Sequence, residues 1–299
     1  MKNKNNSIGW KLSNLCWTII QRVLPAKAYL SLRYRVIFGR WVNWDNPTAF
    51  TEKLQWLKVN YYGRREAFMV DKIKVKEYIK EILGEEYVIP TIGEWDSASN
   101  IDFDSLPSEY VLKCNHDSGS IHFHKKDAPI DRSQVVKELN KVLKTNYYWI
   151  GRETPYRYVE PKVFAEQLIE SDAIGGLRDY KFFCFNGEPK VFKVDFDRFD
   201  GHKAHYFDIE GNVLPFGLRD TYPKESIKLE MPQNLSEMVS VAKIISKGLP
   251  FARVDLYNIN EKILFGEITF FPTSGFQRFT DDYWDDLMGS WLTLPTKLN

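Results

Sequence analysis

Two runs rich in β-branched and aromatic residues, Phe251–Tyr257 and Ile263–Phe271, flank a polar stretch from Asn258 to Lys262. That pattern predicts a β-hairpin. Alternation along a strand sets Phe251, Arg253, Asp255 and Tyr257 on one face, and Ile263, Phe265, Glu267, Thr269 and Phe271 on one face of the second strand. If Tyr257 pairs with Ile263, Arg253 faces Glu267 and Asp255 lies diagonal to it. Two acids and a base then share one side of the ribbon. A hard divalent cation on the carboxylates and a solvated Arg–Glu pair both suit that arrangement.

Upstream, Asn46-Pro47 reads as a helix start, with Asn46 as N-cap and Phe50, Leu54 and Leu57 at helical spacing behind it. Helical periodicity also covers Arg64 to Leu83, Asp131 to Thr145 and Ser236 to Ile245. Tyr87–Pro90, Tyr110–Cys114 and Ile121–His124 read as short strands, and Val159–Ile169 as an extended linker. After a Gly175-Gly176 turn, Asp179–Phe185 and Pro189–Phe196 flank Asn186-Gly187, a strong short hairpin signal. Helices mixed with late antiparallel hairpins indicate an α+β fold rather than a doubly wound sheet.

With 43% hydrophobic and 15% aromatic residues, the 299-residue chain is a folded protein large enough for two lobes. Its formal net charge of +1 conceals an asymmetry. Of the 41 Lys and Arg, eight fall between Met1 and Trp44, where no acid occurs, leaving 33 bases against all 40 acids. A basic head beside the aliphatic and aromatic residues of Trp10–Val23 suits peripheral contact with an anionic membrane, or an amphipathic helix packed on the protein's own core. The segment is too short and polar to span a bilayer and lacks a small-residue cleavage site. The three cysteines, Cys16, Cys114 and Cys184, form no metal or disulfide pattern, as expected of buried thiols in a reducing cytoplasm. Three divisions follow: an extension over 1–44, a first region and small lobe over 45–165, and a second lobe over 166–299.

Lys113 ends an apolar strand before a loop holding His116, Ser118, Gly119 and Ser120, where a lysine and backbone N–H groups can meet a phosphate. The order differs from GxxxxGK[ST], in which the lysine follows the glycines. A lysine at a strand end can equally extend to solvent. Glu166-Gln167-Leu168-Ile169, in the linker, can offer backbone groups to an adenine edge, and Lys181 on an aromatic strand needs an acidic or phosphate partner. His122 and His124 complete no metal set. Asp195-Phe-Asp197 spells the triplet of metal-dependent sugar-nucleotide transferases, so a glycosyltransferase of surface-polysaccharide synthesis is the rival reading.

In order, Asp71-Lys72, Lys113 and its loop, Glu166–Ile169, Lys181, Arg253-Val-Asp255 and Glu267–Gly275 resemble the motifs of ATP-grasp ligases. The TupA-like branch is the nearest match, through Asn46–Trp56, Leu112–Gly119 and Asp179–Gly187, over about residues 40–295. The resemblance implies two α+β lobes gripping ATP between antiparallel sheets. It implies Lys72, Lys113, Lys181 and the His116–Ser120 loop on the phosphates, Glu166–Ile169 as the adenine hinge, and Asp255, Glu267 and Thr269 on Mg2+. Arg253 would stabilise charge in the reaction. Thr269 stands where the family pattern has asparagine, which puts a second Mg2+ in doubt. The activity implied is amide formation through an acyl phosphate, joining an amino acid to a uronic-acid carboxylate of a bacterial polysaccharide. It would take place in the cytoplasm or at the inner face of the membrane, with no nucleic-acid partner.

Overall fold

The computed structural model describes residues 17–169, 177–196, 203–222 and 229–296. Its strands form two antiparallel sheets. In the small sheet β1 (Thr91–Trp95), β2 (Tyr110–Cys114), β3 (Ile121–His124) and β4 (Val163–Gln167) run in the order β1-β4-β2-β3. In the large sheet β5 (Asp179–Phe185), β6 (Glu188–Phe196), β7 (Lys203–Asp208), β8 (Phe251–Ile259) and β9 (Lys262–Thr269) run in the order β7-β6-β5-β8-β9. Asn186 and Gly187 have φ of 49° and 82°, as a type I′ hairpin turn between β5 and β6 requires. The Gly175-Gly176 turn and Asp197 lie outside the described residues.

A helix covers a face of each sheet, and every residue of β5 is buried. Val135 and Leu139 of helix Arg132–Leu143 pack on Tyr110, Leu112, Val163 and Ala165 of the small sheet. Helix Leu235–Ser246 lays Met238, Val241, Ala242 and Ile245 on Phe182, Val254 and Leu256 of the large one. Phe50, Leu54, Val75 and Ile79 join that second core, so the helices between residues 50 and 82 share apolar packing with the large lobe. Tyr29, Leu30 and Tyr34 of helix Ala26–Phe38 cluster with Val42 and Phe276. That part of the basic head therefore packs on the body.

Three elements depart from the sequence pattern for identifiable reasons. The first helix runs Phe50–Asn60, with Ala49 rather than Asn46 at its cap and no side-chain cap bond from Ala49. A carboxylate from the C-terminal helix Asp282–Trp291 takes over: Asp285 Oδ1 accepts from Thr51 N at 2.8 Å and Oδ2 from Thr51 Oγ1 at 2.6 Å. Glu52 accepts from Thr48 N, closing the same helix end. The periodic run from Arg64 to Leu83 is broken into Ala67–Val70 and Lys74–Ile82. Asp71 Oδ1, buried, accepts from Ile73 N, Lys74 N and Asn115 Nδ2, so the second piece begins at a local carboxylate. Tyr87–Pro90 is not a strand either. Glu85–Tyr87 is a 3-10 turn, Val88 makes an isolated bridge to Phe265, and the strand starts at Thr91.

Candidate active site

The hairpin β8–β9 forms with a shifted register. Tyr257 pairs with Leu264, not Ile263, and beyond a bulge Asp255 pairs with Glu267 and Arg253 with Thr269. Gly266 is the extra residue, and a Cβ there would lie 3.0 Å from the Asp255 carbonyl oxygen. The bulge divides the face read from strict alternation. Ile263 and Phe265 turn into the core with Leu256. Glu267 and Thr269 stay on the face of Arg253 and Asp255, and the two acids stand directly opposite each other rather than diagonal.

Neighbouring strands extend that face into a polar row. Lys181 of β5 pairs in register with Asp255 on one side and Lys193 of β6 on the other. Lys181 Nζ bonds Asp179, reaches Asp255 Oδ2 at 2.7 Å and lies 3.7 Å from Asp195 Oδ2. Lys193 Nζ is 2.9 Å from Asp195 Oδ1. The Arg253 guanidinium makes a bidentate bond to Asp255, Nε to Oδ1 at 2.6 Å and Nη2 to Oδ2 at 2.7 Å. The same Nη2 donates to Glu267 Oε1 at 2.8 Å and Thr269 Oγ1 at 2.9 Å.

Burial disfavours every charge in this row, and the partners decide which charges persist. Burial raises the Asp255 pKa despite Arg253 and Lys181. It opposes the charge of Lys181, yet Asp179 and Asp255 outweigh it and raise that pKa. For Glu267, whose carboxylate is 37% exposed, burial acts upward but Arg253, Lys72 and Lys181 prevail and hold it at about 2. Four carboxylates, Asp179, Asp195, Asp255 and Glu267, meet three cations, Lys181, Lys193 and Arg253. Three oxygens from Asp255, Glu267 and Thr269 already surround one cationic nitrogen, so the donor set is the all-oxygen kind that suits Mg2+. Among the described residues no group of three or more His, Cys, Asp or Glu has metal-binding geometry.

The small lobe supplies the opposing cations. Lys72 donates its backbone N–H to Asn115 O at 3.1 Å and its ammonium to Asp117 O. It is also near enough to depress the Glu267 pKa, which connects this loop to the large sheet. Ser118 and Gly119 are exposed at the loop tip, Gly119 with φ of 109°, and Ser120 Oγ donates to Asp117 Oδ1 at 2.6 Å. His116 is 2% exposed, its Nε2 on Thr145 O at 3.2 Å. It supports the loop from beneath rather than presenting a ring at the tip.

Lys113 bonds Glu166 Oε1 diagonally across β2 and β4, and Lys76 Nζ takes Glu166 Oε2 at 3.0 Å. Burial opposes the Glu166 charge, but the two lysines prevail and lower its pKa. The Glu166 side chain is therefore turned between lysines. What this segment presents outward is Gln167, exposed, with Leu168 and Ile169 half-buried. Lys76 has no sequence signal beyond helical spacing, since only the strand pairing brings it to Glu166. Asp195, the first member of the transferase triplet, is buried between Lys193 and Lys181.

Behind β9, Thr273, Ser274 and Gly275 have consecutive φ of 50°, 52° and 63°. For threonine that conformation is strained, and it persists only under external restraint. Lys58 Nζ donates to Ser274 O at 2.8 Å, Gly151 O at 2.7 Å and Gln55 Oε1 at 3.1 Å, and Gln55 Nε2 donates to Gly275 O at 2.8 Å. Ser274 Oγ in turn donates to the buried Glu153 at 2.5 Å. The Asn46–Trp56 motif thus begins the helix that clamps the turn following the acid pair.

Lys72 and Lys113 beside the small-residue loop of one antiparallel sheet, and an acid–base row on a second, accord with an ATP-grasp fold. A sequence model of the TupA-like ATP-grasp family matches residues 52–293, and the chain belongs to that family. Among solved structures it is similar to the D-alanine–D-alanine ligase from Bacillus anthracis complexed with ATP, at 17% identity and a TM-score of 0.41, over 69% of this chain and 56% of that one. It is also similar to the L-amino acid ligase from Bacillus licheniformis, at 13% identity and a TM-score of 0.45, over 84% of this chain and 56% of that one. The D-alanine–D-alanine ligase from Helicobacter pylori gives 12% identity and a TM-score of 0.42, over 82% and 69%. The chain spans little more than half the length of the Bacillus anthracis ligase. No curated protein matches it.

Proposed function

We propose that the protein is an ATP-dependent carboxylate–amine ligase using Mg2+. The observation that carries the reading is the meeting of Asp255, Glu267 and Thr269 oxygens around Arg253 Nη2, with Lys72 close by. ATP binds between the lobes, its base at Gln167–Ile169 and its phosphates under Lys72 and the His116–Ser120 loop. Lys113 and Lys181 supply further positive charge along the phosphate path. Asp255, Glu267 and Thr269 would hold Mg2+, which would supply positive charge to the phosphoryl oxygens. A substrate carboxylate oxygen bonds to the γ-phosphorus as the bond to ADP breaks. An amine then adds to the acyl carbon, phosphate leaves, and the amine proton passes to solvent. Arg253 stabilises the negative charge on the acyl oxygen in that second step.

We further infer that the acceptor is a uronic-acid carboxylate of a surface polysaccharide and the amine an amino acid, a reading supported by membership of the TupA-like family. Purified protein with Mg2+ and ATP should release ADP only when an amine and an acid are both present, and the product mass should equal their sum less water. ADP release indifferent to either partner, or nucleotide release from a sugar nucleotide, contradicts the reading.

Docking of the basic head on anionic lipid is the accompanying proposal. Arg22, Lys27, Arg35, Ile19 and Val23 are exposed there, and among the described residues no helix is long and apolar enough to cross a membrane. Because Tyr29, Leu30 and Tyr34 are core residues, charge reversal tests the idea better than truncation. Changing Arg22, Lys27 and Arg35 together to Glu should abolish sedimentation with phosphatidylserine vesicles, roughly 1 kcal/mol being at stake per basic residue. Unchanged sedimentation contradicts it.

A further inference from the structure

Leu112 and Ala165 pack toward helix Arg132–Leu143, so their chain neighbours Lys113 and Glu166 stand on the opposite face of the small sheet. Lys76 reaches that face from helix Lys74–Ile82, whose Val75 and Ile79 belong to the core of the large lobe. Glu166, 4% exposed, thus meets two ammonium groups, Lys113 at Oε1 and Lys76 at Oε2.

The two lysines differ. An ammonium carries three N–H donors. Lys76 uses all of them, on Glu166 Oε2 at 3.0 Å, on Ile89 O at 3.0 Å and on Thr91 Oγ1 at 2.9 Å. Its Nζ also lies 5.1 Å from the centre of the Phe164 ring, and its side chain is 10% exposed. Lys113 has Glu166 as its one partner among the described residues, and its side chain is 18% exposed, which leaves donors for a ligand. Burial lowers the Lys76 pKa, Glu166 offsets that in part, and Lys113 adds to the lowering. The two cations therefore repel each other across the carboxylate they share. Movement of Lys113 away relieves that repulsion, and Glu166 keeps a cation when it happens. Without Lys76 the same movement would leave a buried carboxylate unpaired, which is strongly unfavourable.

We propose that Lys76 is a positioning residue for ATP binding: it holds Glu166 so that Lys113 can leave that carboxylate and take an ATP phosphate. The proposal rests on the ligase reading above, in which Lys113 lies on the phosphate path. Lys76 touches no nucleotide itself, because Ile89, Thr91 and Glu166 occupy every donor it has. Its effect on the nucleotide passes through Glu166.

Mg-ATP is the probe, titrated calorimetrically into the full chain as wild type, Lys76→Met, Lys76→Arg, Glu166→Gln and the double variant Lys76→Met with Glu166→Gln, each checked by thermal melting. Lys76→Met should weaken Mg-ATP binding about tenfold or more, because Lys113 is then the remaining counter-ion of a buried carboxylate. Lys76→Arg keeps a cation there and should weaken binding less than about threefold. Glu166→Gln removes the charge that retains Lys113. Its benefit to Mg-ATP binding should be at least about fivefold greater in the Lys76→Met background than in wild type, since the two side chains act as one unit. A loss of positive charge alone, or a purely structural role, would make the two substitutions additive, and additivity overturns the proposal. So does Lys76→Met protein that binds Mg-ATP like wild type. Lys76→Gln takes the place of Lys76→Met in the same cycle, with the same expectation, if the methionine variant does not fold. Wild-type protein without affinity for Mg-ATP overturns the ligase reading and this proposal with it, whereas wild-type binding with additive substitutions faults this proposal alone.

Discussion

Glu267→Gln is expected to leave a folded protein whose Mg2+-dependent ADP formation falls about a thousandfold or more. That corresponds to roughly 4 kcal/mol of lost transition-state stabilisation, within what a bound metal supplies to a developing phosphoryl charge. The substitution preserves shape and removes one negative charge. Because Arg253, Lys72 and Lys181 hold the carboxylate at about 2 against the effect of burial, that charge is present at every working pH, and no change of pH restores it to the variant. Stability should fall modestly while the protein stays folded, because a carboxylate pKa lowered in the folded state means that the charge contributes to stability at neutral pH. Steady-state turnover and thermal melting of the same preparation check both halves. A variant with wild-type turnover removes Glu267 from the metal site, and one that fails to fold makes its role structural.

Lys58→Met should act in the opposite way, through the fold. Lys58 is 2% exposed, and burial lowers its pKa while Glu153 partly offsets that effect. Methionine fills similar space but leaves Gly151 O, Ser274 O and Gln55 Oε1 without the ammonium they share. It also removes the largest of the positive charges acting on Glu153. Removing one member of such a buried set typically costs about 3–5 kcal/mol. The left-handed Thr273–Gly275 turn loses its main restraint at the same time. Urea unfolding should show a loss of that size, and any surviving folded fraction should retain ATP binding, because the phosphate-side lysines lie elsewhere. A loss under about 1 kcal/mol would mean that the turn is held by its own backbone.

These two side chains illustrate what the sequence reveals and what it hides. Arg253, Asp255, Glu267 and Thr269 are legible because they lie within strands of pronounced apolar composition, where a charge is conspicuous. Strands β2 and β5 and helix Leu235–Ser246 are legible for the same reason, within a residue or so. The bulge at Gly266 is not, since a glycine in a strand signals irregularity without giving its direction. That single extra residue replaces the diagonal acid pair with a direct one. Lys58, Lys76 and Asp285 escape notice altogether. Each is a charged residue in a helix with ordinary spacing, and its partner lies far along the chain: Ser274, Glu166 and Thr51 respectively. Strand β7, Lys203–Asp208, has too short an apolar run to stand out, and helix Asp282–Trp291 carries three acids that mask its buried face.

The central claim is that a carboxylate is activated by phosphoryl transfer at the Arg253–Asp255–Glu267 face. Its most direct test follows an oxygen atom. With the acid partner labelled with oxygen-18 in its carboxylate, and an amine and Mg-ATP present, the account predicts inorganic phosphate carrying one labelled oxygen per amide formed, with ADP as the other product. Unlabelled phosphate accompanying amide formation, or AMP and pyrophosphate in place of ADP, would contradict it.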